Sequence, residues 1–248
     1  RAANLALGQG NVERARQIIG EHVTDPMQRK QALANVDRQV LWKATQESRL
    51  EEARALALKL PTLQERVQQL TQLAAQAFAK NNREQGLALL DEARAMVGRR
   101  AANHSQLWAQ LQVAGGYAKV VPERGFAMIE PMTTQVDELA SAFALVEGFG
   151  QNGGYREGEM LLQNGGMLTI LLQQYGQTLA ALARADFEHA RTLVARFQRP
   201  EARIIAGHEI LQGILATPQA NGTGIGVSSG GGVGGGIAPL SISPRRRR

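Results

Sequence analysis

One pattern constrains this chain more than any other: a small residue, an acid two positions before it, and an apolar residue three positions after it. It occurs as Glu13-Arg14-Ala15 with Ile18, Glu51-Glu52-Ala53 with Leu56, and Glu84-Gln85-Gly86 with Leu89. It returns as Glu123-Arg124-Gly125 with Met128 and Glu188-His189-Ala190 with Leu193. A weaker copy, Arg156-Glu157-Gly158 with Leu161, carries its acid one place later. The small residues at 15, 53, 86, 125, 158 and 190 are separated by 38, 33, 39, 33 and 32 positions. Two helices approach closely only where one side chain is Ala or Gly, and the residue at +3 then shares that helix face. Recurrence at a near-constant period points to an array of stacked units rather than to one irregular core.

A second signal marks where helices begin. Thr24-Asp25-Pro26 precedes Arg29 and Leu33, Leu60-Pro61-Thr62 precedes Arg66 and Leu70, and Arg199-Pro200-Glu201 precedes Arg203. Proline suits the first turn of a helix, and Asp25 or Thr62 supplies a capping oxygen. Each unit therefore reads as helix, tight turn, helix. Ile204, His208, Leu211 and Leu215 step by 4, 3 and 4, as one face of a helix does. Abundant Ala, Leu and Gln with only 4% aromatics favour helices over sheets.

The small residue of the second helix (Ala15, Ala53, Ala190) resembles the tetratricopeptide-like class of bacterial α-solenoids. So does Trp108-x-x-Leu111, leading through Gly115 and Tyr117 toward Gly125. The spacing from Trp108 and Leu111 to the small residue is one residue off, and most units lack the closing Pro and second Ala. The resemblance implies an all-α fold, a right-handed superhelix of antiparallel helix pairs whose concave side binds a protein or peptide. It implies no chemistry and no cofactor. On this reading residues 1–216 are a helical-repeat domain of about six units, and 217–248 a disordered tail.

Nine glycines in residues 222–236 make a flexible linker, and about 20 such residues span roughly 25 Å. It leads to the apolar run Ile237–Ile242, Pro244 and the cluster Arg245, Arg246, Arg247 and Arg248. Those arginines supply +4 of the net +6, leaving residues 1–244 at +2. The helical body thus carries no nucleic-acid footprint, and the tail alone offers weak contact to phosphate. Without cysteine there is neither a disulfide framework nor a thiolate site. No apolar stretch reaches the ~18 residues of a membrane span, since Gln163, Asn164, Gly165, Gln173 and Gln174 interrupt the run from Met160 to Leu182. A bacterial cytoplasm or periplasm fits equally well. The start at Arg1, with Ala2–Gly10 resembling the end of a helix, reads as a truncated N-terminus.

Gly148-Phe149-Gly150-Gln151-Asn152-Gly153 satisfies the dinucleotide pattern G-x-G-x-x-G. That pattern needs a strand before it and an acid about twenty residues later, but the preceding run from Asp137 to Val146 reads as helix and no acid lies between Glu159 and Asp186. With seven glycines, residues 148–166 read instead as a hinge or turn. His189 and His208 flank the turn near Gln198 and Arg199 symmetrically, so a hairpin sets them at one height. With Glu188 or Asp186 they are candidate metal ligands, but without a third certain ligand a structural pair is the simpler reading. Trp42, Trp108 and Phe197 fit core positions, whereas Tyr155 and Tyr175, beside glycines, are candidates to line a partner-binding groove. Glu13/Arg16, Glu51/Arg54 and Glu188/Arg191 read as solvated i,i+3 ion pairs. No catalytic constellation assembles from these residue types. The function expected is a non-catalytic protein- or peptide-binding scaffold. The alternatives are a structural helical domain of a larger exported or envelope protein and, behind that, an enzyme with an unrecognised site.

Overall fold

The computed structural model describes residues 2–149, 155–156, 159–160 and 166–216. It is all-helical apart from one two-residue antiparallel strand pair. The helices are α1 (Ala2–Gly8), α2 (Val12–His22), α3 (Pro26–Gln46), α4 (Leu50–Ala57), α5 (Leu63–Ala79) and α6 (Arg83–Met96). They continue as α7 (His104–Tyr117), α8 (Pro122–Phe149), α9 (Gly166–Ala183), α10 (Phe187–Ala195) and α11 (Pro200–Leu215). Between α8 and α9, β1 (Tyr155–Arg156) pairs with β2 (Glu159–Met160), Tyr155 opposite Met160. Residues 1–216 form one compact unit, and 217–248, with Arg245, Arg246, Arg247 and Arg248, lie outside the described residues.

Helix starts follow the sequence closely. The Asp25 carboxylate accepts the Met27 amide at 2.8 Å, with Pro26 in the first turn of α3. Thr62 and Glu65 form a reciprocal capping box on α5, and Pro200 opens α11. The arginines that follow these signals turn back: Arg29 Nε donates to the Val23 carbonyl at 2.8 Å, Arg66 Nε to that of Thr62 at 3.4 Å, and Arg203 Nη1 to that of Phe197 at 2.9 Å. Each ties the incoming loop to the helix it feeds.

The turns inside the first three helix pairs share one geometry. Gly10, Ser48 and Asn81 have φ near +79°, +60° and +60°. Around them the amides of Asn11, Arg49 and Asn82 bond to the carbonyls of Ala6, Ala44 and Ala77 at 2.8–2.9 Å. This is a glycine-type helix stop, executed twice without glycine, always five residues before the small residue at 15, 53 or 86. Those small residues lie on α2, α4 and α6, and Gly125 and Ala190 on α8 and α10; all five are buried. A β-carbon on Gly86 would stand 2.4 Å from the Phe78 ring, and one on Gly125 would stand 2.6 Å from Leu182 and 3.0 Å from the Ala114 carbonyl.

The weak copy at 156–161 departs from the rest. Arg156 belongs to a strand, not a helix, while Gly158 and Leu161 lie outside the described residues. Upstream, the Gly125 stretch and the run from Asp137 to Val146 form a single 28-residue helix, α8, which runs through Pro131. Proline removes one ladder hydrogen bond there without ending the helix. Side-chain contacts hold α8 beyond it: Thr133 with Tyr175 at 2.7 Å, Gln135 with the Ala101 backbone, and Asp137 accepting the Gln198 amide at 2.9 Å.

Packing passes from each helix to its near neighbours. α5 lies against α6 and α7, α7 against α8 and α9, and α9 against α10 and α11. Two hydrophobic clusters meet at α7, whose Ala109, Val113 and Tyr117 belong to one and Leu107, Leu111 and the following Ala118 to the other. A helix buried on opposite faces has no single apolar stripe, and His104–Tyr117 shows none.

Candidate binding surface

Glycine contacts set the direction of the odd-numbered helices. Gly176 faces Ala206 and Glu209, and Gly213 faces Ala180. Positions on α9 and α11 advance together, so these helices run parallel. The contact is tight: a β-carbon on Gly213 would lie 2.6 Å from that of Ala180, and one on Gly176 would lie 2.7 Å from that of Glu209. On α7, Gly116 meets Leu90 of α6 first and Thr71 of α5 next, and Gly115 meets Thr178 of α9.

Above the α9–α11 contact the small residues leave an open groove of about 340 Å³. Ala180, Ala181, Gly213 and Ala216 form its apolar lining, and Gln177, Arg184, Glu209 and Gln212 its polar one. Arg184 donates to the Gly213 carbonyl at 2.7 Å, holding its guanidinium across the groove. Gln212 Nε2 lies 3.1 Å from His208 Nε2. The Glu209 carboxylate has no ion pair among the described residues. The groove offers amide donors and acceptors, one cation and one anion over a floor without bulk.

The residues singled out by sequence are dispersed. Tyr175 is fully buried, bonded through its hydroxyl to Thr133 and set edge-on to Phe197 at 5.3 Å, so it is a core residue and faces no groove. Burial pushes its phenol above the ordinary tyrosine range. Tyr155 stands on β1, and its side chain lies outside the described residues. His189 stacks on Phe126 at 4.1 Å with Nε2 2.9 Å from Glu130, whereas His208 lies on α11 beside Gln212. The two histidines thus have separate partners. Among the described residues no cluster of three His, Cys, Asp or Glu side chains could hold a metal. The dinucleotide pattern starts in the last turn of α8, a helix where a strand is required, and residues 150–154 lie outside the described residues.

Trp42 is 66% exposed rather than in the core, Trp108 is half-buried and Phe197 is buried. The three i,i+3 ion pairs form, but Arg16 and Arg54 have additional, closer partners at longer range. Arg16 reaches Asp37 at 2.7 Å, and Arg54 grips Glu92 at 2.7 and 2.9 Å, bonds that raise both guanidinium pKa values. Arg124 likewise meets Asp91, 33 positions away, at 2.7 Å. Asp91 also accepts the Tyr117 hydroxyl, and Arg124 lies over that ring at 5.9 Å. Burial first, then Asp91, pushes the Tyr117 phenol up to about 12. No family model, curated protein or solved structure matches this chain. Among the described residues no helix is long and apolar enough to cross a membrane.

Proposed function

We propose that this chain is a non-catalytic binding scaffold, an α-solenoid of tetratricopeptide-like helix pairs, that seats an extended peptide or protein segment across its odd-numbered helices. The observation that carries this reading is the α9–α11 groove. Its volume lies at the lower end of the range for ligand sites. A floor of Ala and Gly lets a backbone approach closely, and Gln177 and Gln212 present the donor–acceptor pair that matches a peptide unit. Arg184 and Glu209, of opposite charge, favour one chain direction over the other. The parallel run of α9 and α11, with small residues where they touch, fits the stacked-pair architecture in which such a surface extends from unit to unit.

The test is selection of peptides from a random library against the full chain, followed by affinity measurement on an Ala181→Trp variant. Ala181 lines the groove half-buried and also packs against the core cluster, so an affinity loss in the variant counts only where its fold is as stable as the parent's. Selected peptides should lose at least about tenfold in affinity, or roughly 1.4 kcal/mol, with an unchanged melting temperature. Failure to select any peptide, or equal affinity for the variant, refutes the reading.

A further inference from the structure

Among the described residues, the buried and half-buried acids of this fold have partners, with one exception. Asp37 pairs with Arg16, Glu65 with Arg38, Glu92 with Arg54 and Glu201 with Arg199. Glu130 bonds to His189, and the buried Asp137 accepts the Gln198 amide. Glu209, half-buried in the α9–α11 groove, has neither an ion pair nor a hydrogen bond to its carboxylate among the described residues. Its stem is nevertheless held in place. A β-carbon on Gly176 would lie 2.7 Å from Glu209 Cβ and 3.0 Å from its Cγ, so glycine there makes room for the glutamate. Arg184, across the groove, donates to the Gly213 carbonyl at 2.7 Å instead of pairing with Glu209. A carboxylate partly withdrawn from water costs free energy until a cation or donor reaches it.

Resting on the reading of the α9–α11 groove as a peptide site, we infer that Glu209 holds a basic side chain of the bound segment. The ligand class is then a peptide carrying one Lys or Arg at that point. An arginine meets the carboxylate through two parallel N–H bonds, and a lysine meets it as a point charge. Arg184 narrows the class further. Gly213, to which it bonds, lies one helical turn beyond Glu209, about 6 Å along α11. That distance is spanned by roughly two residues of extended chain. A second basic residue two positions away therefore meets a cation, whereas an acid there meets a partner. The groove selects a single basic residue with neutral or acidic neighbours, not a basic run.

The experiment extends the library selection on the full chain. Selected peptides should carry Lys or Arg at one position, with a neutral or acidic residue two places to one side. Glu209→Gln keeps the stem against Gly176, so the variant should melt as the parent does. It should bind those peptides at least about tenfold more weakly at low salt. Replacing the peptide's basic residue by Gln should cost a similar factor against the parent but less than about twofold against Glu209→Gln. A merely structural role for Glu209 would not produce that coupling. Peptides that Ala181→Trp excludes but that show no basic preference overturn the assignment of Glu209 and leave the groove standing. Equal affinity for Glu209→Gln, or no coupling, does the same. Failure to select any peptide, or binding that Ala181→Trp leaves intact, overturns the groove reading and this inference with it.

Discussion

Replacing Gly125 by Ala sets two opposed effects against each other, and the structure decides between them. In a helix interior alanine is favoured over glycine by ~1 kcal/mol. At position 125, however, the new β-carbon would stand 2.6 Å from Leu182 Cδ2 and 3.0 Å from the Ala114 carbonyl oxygen. Leu182 is fully buried in the cluster shared by α8 and α9, and the carbonyl belongs to the α7 backbone. Neither obstacle is the free end of a surface side chain. Overpacking of this kind costs ~1–3 kcal/mol, which exceeds or cancels the propensity gain. Gly20 and Gly207 supply the control: both are helical and meet nothing within 4 Å, so Gly20→Ala and Gly207→Ala gain the propensity alone. The propensity gain is common to all three variants, so urea denaturation should place Gly125→Ala about 1–3 kcal/mol below either control, or ~2–12 °C lower in melting temperature for a chain of this size. If Gly125→Ala matches the stabilisation of Gly20→Ala, close approach at the small residue is not what fixes helix spacing.

Ser48→Gly and Asn81→Gly should each stabilise the fold by up to about 1 kcal/mol, measured by calorimetry, because both residues hold the left-handed φ that glycine adopts freely. Thr62→Ala should cost about 0.5–2 kcal/mol in the same assay by removing the capping box of α5. Tyr117 has a phenol pKa raised to about 12, so its contribution to stability is complete below the unfolded value near 10 and is lost as pH rises toward 12. Denaturation midpoints should therefore fall across pH 10–12, and less steeply in Tyr117→Phe; an identical slope in the variant would contradict the assignment.

Much of the architecture is legible in the amino-acid sequence alone. Asp25, Thr62 and Pro200 announce helix starts because capping is local chemistry, and the small residues at 15, 53, 86, 125 and 190 announce close packing because only they permit it. What stays hidden depends on direction and context. The 4-3-4 spacing at 204–215 defines a helix face without saying whether it turns inward, and here it turns out. Trp42 is hidden for the same reason, since Val36, Leu41, Ala44 and Thr45 are the buried residues of α3. Tyr175 sits beside a glycine that serves a helix contact with Glu209, not an opening. Pro131 stands inside α8, which side-chain contacts of Thr133, Gln135 and Asp137 hold beyond it. The groove itself is written in Gly176, Gly213, Ala180 and Ala181, a small-residue signal on the first helix of a pair, whereas the recurring pattern marks the second.

Amide chemical-shift mapping with a library-selected peptide is the decisive measurement for a groove-binding scaffold. A peptide seated between α9 and α11 should produce shifts concentrated at residues 177–184 and 209–216, absent in Ala181→Trp. Shifts confined to other helices, or shifts on α9 and α11 that persist in the variant, would contradict it.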